Sequence, residues 1–180
     1  MDVLLIRAQL KELHIAAYGW TLHCCRHNRA VTEDVLQTVY LKVLEGKAQF
    51  DGTSTFKTWL FAVIRKTAAE ERRRTIVWAF RFRFLSDAED PVSDESVERS
   101  IHASEIRAVF SRALARLPRR QQEVMHMIFY QDLTIEETSA TLGISIGSAR
   151  THYERRKKRL RRELERMEEF NENRELRTNP

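Results

Sequence analysis

Glycine and proline are scarce in this sequence, five and three in 180 residues. That scarcity removes the turn-forming material an all-β fold would need. Cysteine is scarcer still. Cys24 and Cys25 are adjacent and cannot staple distant segments, so a disulfide scaffold is excluded and a reducing cytoplasm is the expected compartment. No apolar run reaches the length of a membrane span, and Met1-Asp2-Val3-Leu4-Leu5-Ile6-Arg7 does not have the form of a signal peptide; no membrane insertion is expected. Nucleophile motifs and a phosphate-cradling glycine loop are missing, so neither an enzyme nor a cofactor is expected.

What is plentiful is Arg, Glu, Leu and Ala, all good helix formers. Lys and Arg total 31 against 26 Asp and Glu, a net charge of +5, and its distribution says more than its size. Gly147 to Arg166 holds nine Arg or Lys and three Glu, whereas Ser86 to Glu105 holds seven acids and one Arg. A basic C-terminal helix behind an acidic connector suits a nucleic-acid reader on a solvated tether. The expected fold class is all-α, with two helical domains joined by a flexible acidic linker. The expected boundaries are 1–85, a linker over 86–103, a second domain over 104–167 and a polar tail over 168–180.

Along the chain, residues 3 to 28 read as helix with an interruption near Gly19. Thr32 is the expected N-cap of the next helix, with Glu33 and Asp34 in its first turn. Val35, Leu36, Val39, Tyr40, Val43 and Leu44 then recur at helical spacing, and Gly46 ends the helix. The opposite face carries Asp34, Gln37, Thr38, Leu41 and Glu45; a leucine on a polar stripe hints at a partner surface. A loop from Lys47 to Thr55 turns at Asp51-Gly52. In the helix that follows, Phe56, Trp59, Leu60, Val63, Ile64 and Thr67 form an inward stripe. Lys57, Phe61, Arg65 and Lys66 lie opposite, a pattern that fits either a phosphate-gripping, base-stacking surface or a solvated face. The helix runs on through Arg72-Arg73-Arg74 toward Phe84. Ile106 to Leu117 is amphipathic and stops at Pro118, and Val124, Met125, Ile128 and Phe129 mark one more helix.

The sharpest local signal is Thr134 to Leu160. Thr134-Ile135-Glu136-Glu137 has the form of a capping box. Gly143 supplies a left-handed residue after Leu142, Ile144 plugs the corner, and Ser145 caps a second helix. That helix exposes Ser148, Arg150, Thr151, Glu154, Arg155 and Lys158, with Ala149, Tyr153 and Leu160 inward. Two helices around a glycine turn, the second one basic, form a helix-turn-helix, against which stands a plain helical hairpin with a charged face. His23 and His27 beside Cys24 and Cys25 invite a metal reading. Adjacent cysteines point apart, however, so buried thiols with surface histidines, and no metal, are expected.

Together these segments resemble the extracytoplasmic-function group of sigma factors, over nearly the whole chain. Thr32-Glu33-Asp34-Val35-Leu36-Gln37 with Tyr40-Leu41-Lys42-Val43-Leu44 is similar to the family's polymerase-binding helix. Phe50-Asp51-Gly52 and Phe56-Lys57-Thr58-Trp59-Leu60-Phe61-Ala62 are similar to its promoter-melting loop and helix. Leu117-Pro118-Arg119-Arg120-Gln121-Gln122-Glu123-Val124 and Leu142-Gly143-Ile144-Ser145-Ile146-Gly147-Ser148-Ala149-Arg150 are similar to its upstream-element reader. The resemblance implies that Asp34, Gln37 and Leu41 dock on the clamp of the largest subunit of core RNA polymerase, the second domain meeting the flap of the second largest. It implies capture of the unpaired −10 strand by Phe50, Asp51, Thr53, Ser54, Phe61, Arg65 and Lys66. It places Ser148, Arg150, Thr151, Glu154, Arg155 and Lys158 on the −35 element of promoter DNA. An anti-sigma protein is a further partner that the resemblance admits, since many members of the group are silenced by one.

Some residues depart from the family's pattern. Lys66 stands where Asn is usual, Thr138 and Ser139 replace an apolar pair, and Arg156 replaces Ala, so its stem is expected to snorkel. Thr38 stands where relatives commonly carry an acid, which makes it a candidate regulatory phosphosite beside the alternative of drift. The runner-up function is a stand-alone helix-turn-helix DNA-binding regulator, which would have no use for the Asp34–Gln37 stripe or the Trp59-Leu60-Phe61 helix. An adaptor that binds polymerase without promoter specificity is a third reading.

Overall fold

The computed structural model describes residues 3–83, 118–158 and 161–162. The acidic stretch 86–103, the amphipathic segment 106–117, Leu160 and the tail from Glu168 lie outside them. All regular structure among the described residues is helical. The chain divides into two compact units: helices before residue 84 build the first, and helices after Pro118 carry most of the second.

In the first unit, α1 (Val3–Glu12) and α2 (His14–Cys24) are separated at Leu13, not near Gly19 as the sequence suggested. The break is slight, because Leu13 N–H still donates to Gln9 O (3.0 Å) and Ala17 N–H to Leu13 O (2.8 Å). Gly19 sits within α2, where a helix tolerates it at modest cost. The chain leaves α2 through Arg26 (φ 54°) and His27 (φ 64°), two successive left-handed residues that are not glycine. His27 N–H donates back to Leu22 O at 2.9 Å and offsets part of that strain.

α3 (Arg29–Leu44) starts four residues earlier than expected. Its cap is Asn28, whose Oδ1 accepts from Val31 N–H at 3.1 Å. Thr32 is instead buried within the helix, its hydroxyl donating to Asn28 O at 2.6 Å. Glu33 and Asp34 therefore lie beyond the first turn. Gly46, at φ 71°, follows the last turn as expected. Thr55, the last residue of the loop, caps α4 (Phe56–Arg83): its Oγ1 accepts from Thr58 N–H at 3.2 Å.

α2 packs on α3 and α4, α3 packs on α4, and α1 closes one side against α2 and α3. At the centre Trp20 is fully enclosed with Ala17, Val39, Leu60 and Ile64. Its Nε1–H donates to Phe61 O at 3.0 Å, and its ring stacks on His23 at 5.5 Å. His23 is thus half-buried rather than a surface histidine, while Cys24 and Cys25 are buried free thiols.

In the second unit, α5 (Arg119–Tyr130) follows Pro118, and Val124, Met125 and Met127 are its buried apolar side chains. Phe129 is 45% exposed, and its ring stacks on Tyr153 at 6.1 Å. α6 (Ile135–Leu142) and α7 (146–158) follow along the chain. Removal of the Trp20 side chain strips the first unit of its central ring, so Trp20→Ala is expected to lose about 3–5 kcal/mol, measurable as a lowered urea midpoint.

Candidate functional site

Three surfaces carry the residues singled out from sequence. The first is a groove of about 510 Å³ between α3 and α4. Asp34, Gln37, Thr38 and Leu41 line its α3 side, all exposed, with Leu41 showing 57% of its surface. Val35 and Val39 on the same helix are buried, so the stripe faces outward because its neighbours are needed inside. Glu70, Glu71 and Arg74 line the α4 side. Lys42 Nζ crosses the groove to Glu70 Oε2 at 2.9 Å and to Thr67 Oγ1 at 3.3 Å. This hydrogen bond, then the charges of Lys42, Lys66 and Arg73, holds the Glu70 carboxyl below the usual glutamate range.

The second surface is the loop before α4. Gly52 adopts φ 77°, and Asp51 Oδ1 accepts from Thr53 N–H at 3.0 Å and from Thr53 Oγ1 at 2.8 Å. Those two bonds hold the exposed Asp51 carboxyl below its ordinary value. Phe50 is half-buried in an aromatic triad, 5.5 Å from Phe56 and 5.4 Å from Trp59. Asp51 and Thr53 stand in solvent, and Ser54 is half-buried. Arg65 is half-buried and Lys66 exposed.

Phe61 departs from its expected place on an outward stripe. It is 0% exposed, 6.3 Å from the Trp20 ring, with Lys57 Nζ 5.8 Å from its centroid. α4 packs on both α2 and α3, so its buried arc is wider than the single stripe that spacing assigns. In this conformation the ring has no free face for a base.

The third surface is the helix-turn-helix. Thr134 Oγ1 accepts from Glu137 N–H at 3.1 Å while Glu137 Oε2 accepts from Thr134 N–H at 2.9 Å, the reciprocal box read from the sequence. Gly143 turns at φ 60°, Ile144 N–H donates to Ser139 O at 3.1 Å, and Ser145 Oγ caps α7 through Ser148 N–H at 3.1 Å. Ala149 is fully buried and Tyr153 half-buried; Ser148, Arg150, Thr151, Glu154, Arg155 and Lys158 are exposed.

The departures noted in the sequence find their places here. Arg156 does not snorkel to solvent alone: its guanidinium donates through Nε and Nη2 to Gln121 Oε1, tying α7 to α5. Ser139 Oγ bonds back to Glu136 O at 2.8 Å, whereas Thr138 Oγ1 is buried without a partner among the described residues. Glu123, buried, pairs with Arg119 at 3.2 Å and Arg120 at 3.3 Å, an arrangement that sequence reasoning missed.

Among the described residues no helix is long and apolar enough to cross a membrane. Because Lys42 holds Glu70 ionised, that pair adds stability above the ordinary glutamate pKa and loses it as pH falls through the lowered one. Lys42→Met is expected to move the Glu70 carboxyl titration upward, followed by NMR, and to flatten the acid limb of stability.

Comparison with known proteins finds two family regions along the chain. Residues 5–75 match Sigma-70 region 2, and residues 107–160 match Sigma-70, region 4. The chain is 32% identical over 143 residues to the ECF RNA polymerase sigma factor SigX of Bacillus subtilis, covering 77% of this chain and 73% of that protein. It is 31% identical over 137 residues to the ECF RNA polymerase sigma factor SigF of Caulobacter vibrioides, covering 76% and 72%. In fold it is similar to the sigma factor RpoE of Bartonella quintana, solved with the anti-sigma factor NepR (TM-score 0.63, 19% identity, 89% of this chain and 96% of that one). A second likeness is to CnrH, solved with the cytosolic domain of CnrY (TM-score 0.56, 19% identity, 88% and 86%). With two sigma regions in order along one chain and curated relatives matched across both, this chain belongs to the extracytoplasmic-function group of the sigma-70 family, alternative sigma factors that direct transcription initiation.

Proposed function

We propose that this sigma factor grips core RNA polymerase with the exposed α3 stripe and promoter DNA at two separate places. Asp34, Gln37 and Leu41 dock on the polymerase clamp; the observation that carries this is a leucine more than half exposed between polar side chains at the rim of a groove. The second domain sits on the flap of the second-largest subunit. The loop residues Asp51, Thr53 and Ser54, with Phe50, Arg65 and Lys66, hold the unpaired −10 strand, the cations taking phosphates. Phe61 drops out of that set as long as its ring stays enclosed. Ser148, Arg150, Thr151, Glu154, Arg155 and Lys158 meet the −35 element.

The factor works in the cytoplasm, performs no chemistry of its own, and spans two sigma domains, 1–85 and 104–167, around the acidic stretch 86–103. RpoE, captured with the anti-sigma factor NepR, supports an anti-sigma partner for this chain too. Run-off transcription with purified core polymerase over a genomic library tests the whole reading. Discrete new starts sharing two spaced upstream elements are expected. DNA binding by the chain alone, without stimulation of polymerase, would favour a stand-alone regulator.

Thr38 belongs to the same proposal as a switch. It is exposed in the groove that holds Lys42 and Arg74, and a phosphate there would add about −1.5 to −2 charges to the polymerase-facing stripe. Thr38→Glu is expected to bind core polymerase severalfold more tightly than wild type in a competition assay; equal binding removes the switch.

A further inference from the structure

Gly147 has no local reason to be glycine. It lies in the first turn of α7, its backbone is outside the left-handed region, and a Cβ placed on it would meet only Ser145 Oγ, at 4.0 Å. Alanine would fit and would favour the helix. Nothing within the fold uses the missing side chain, and its absence leaves the backbone open to close approach from outside.

Helical geometry shows what shares that approach. At about 100° per residue, Gly147, Thr151, Glu154 and Lys158 form one ridge opposite Ala149, Tyr153 and Arg156. All four ridge residues are exposed, whereas Ala149 is buried and the other two half-buried. The Thr151 hydroxyl donates to Gly147 O at 2.8 Å, which leaves its methyl and lone pairs outward. Arg150 and Arg155 leave the ridge on opposite sides, about 140° apart by the same rotation, where long cations reach phosphates of either strand.

Glu154 is the exception on this cationic face. It is exposed and has neither a hydrogen bond nor an ion pair among the described residues. A lone carboxylate pressed against DNA is repelled by phosphates and by the acceptor edges of guanine and thymine. It is welcome where an amino group meets it, and the cytosine N4 amino group in the major groove is the matching donor. Such a residue weakens binding to most sequences and so confers choice.

We propose that the ridge Gly147–Thr151–Glu154 lies against base edges of the upstream promoter element, with Glu154 accepting from one cytosine amino group and Gly147 giving the DNA room to reach it. Arg150 and Arg155 hold the flanking phosphates. This rests on the assignment of α7 to promoter DNA made above.

The test is run-off transcription by polymerase reconstituted with the full chain on a promoter library randomised in the upstream element. Wild type is expected to select cytosine at one position. Glu154→Gln keeps the shape but turns acceptor into mixed donor and acceptor. It is expected to shift that single position toward adenine, with discrimination for cytosine down about tenfold. Lys158→Ala should lower output evenly across the library and keep every preference. Gly147→Ala should melt at higher temperature than wild type yet transcribe severalfold less, a pairing that a merely structural glycine would not produce. Unchanged preferences in Glu154→Gln, or a Gly147→Ala protein both more stable and fully active, would overturn the proposal. Absence of promoter-selective transcription by wild type would instead overturn the assignment of α7 to the promoter, and this proposal with it.

Discussion

The indole N–H of Trp20 is the constraint on which the first unit turns. A buried donor left without a partner costs about 1–3 kcal/mol, and Trp20 finds its partner in the backbone carbonyl of Phe61 on α4. That bond sets the height at which α2 lies against α4, and the stacked His23 ring fixes how far the indole can turn. α3, packed on both helices, has its position decided by the same contact. The groove on one side and the loop before α4 on the other are thus held by a residue that belongs to neither.

Among the described residues the second unit encloses no aromatic ring; its buried aliphatic and methionine side chains are joined by buried charge and polarity. Glu123 is enclosed, and two arginines from the start of its own helix pair with its carboxylate. Arg156, in a place where the family has a small residue, spends its guanidinium on Gln121 and so joins α7 to α5 through a polar contact. α7 is therefore supported by a hydrogen bond as well as by Ala149 and Tyr153.

Local devices were legible in the sequence because every partner lies within one turn. The Thr134–Glu137 box, the Gly143 corner and the Ser145 cap all have the partners that their spacing implied. Features decided by packing were not. A threonine that bonds back into a helix looks the same in sequence as one that caps it, so Thr32 concealed the role of Asn28. Gly19 drew attention that belonged to Leu13, since glycine permits a break without causing one. Phe61 was misplaced because spacing assumes one neighbour per helix and α4 has two. The left-handed pair Arg26–His27 carried no signal, because neither residue type favours that conformation. On α7, spacing identified the residues that the structure leaves exposed.

The bonds that form the caps and the corner of the helix-turn-helix join residues at most five apart: Thr134 with Glu137, Ser139 with Ile144, Ala140 with Gly143, Ser145 with Ser148. Loops that short close at little entropic cost and on fast timescales. Such a corner has low contact order. It re-forms after local opening without waiting for distant parts of the chain, so the corner is a self-priming element whose recovery time is set by its own few residues.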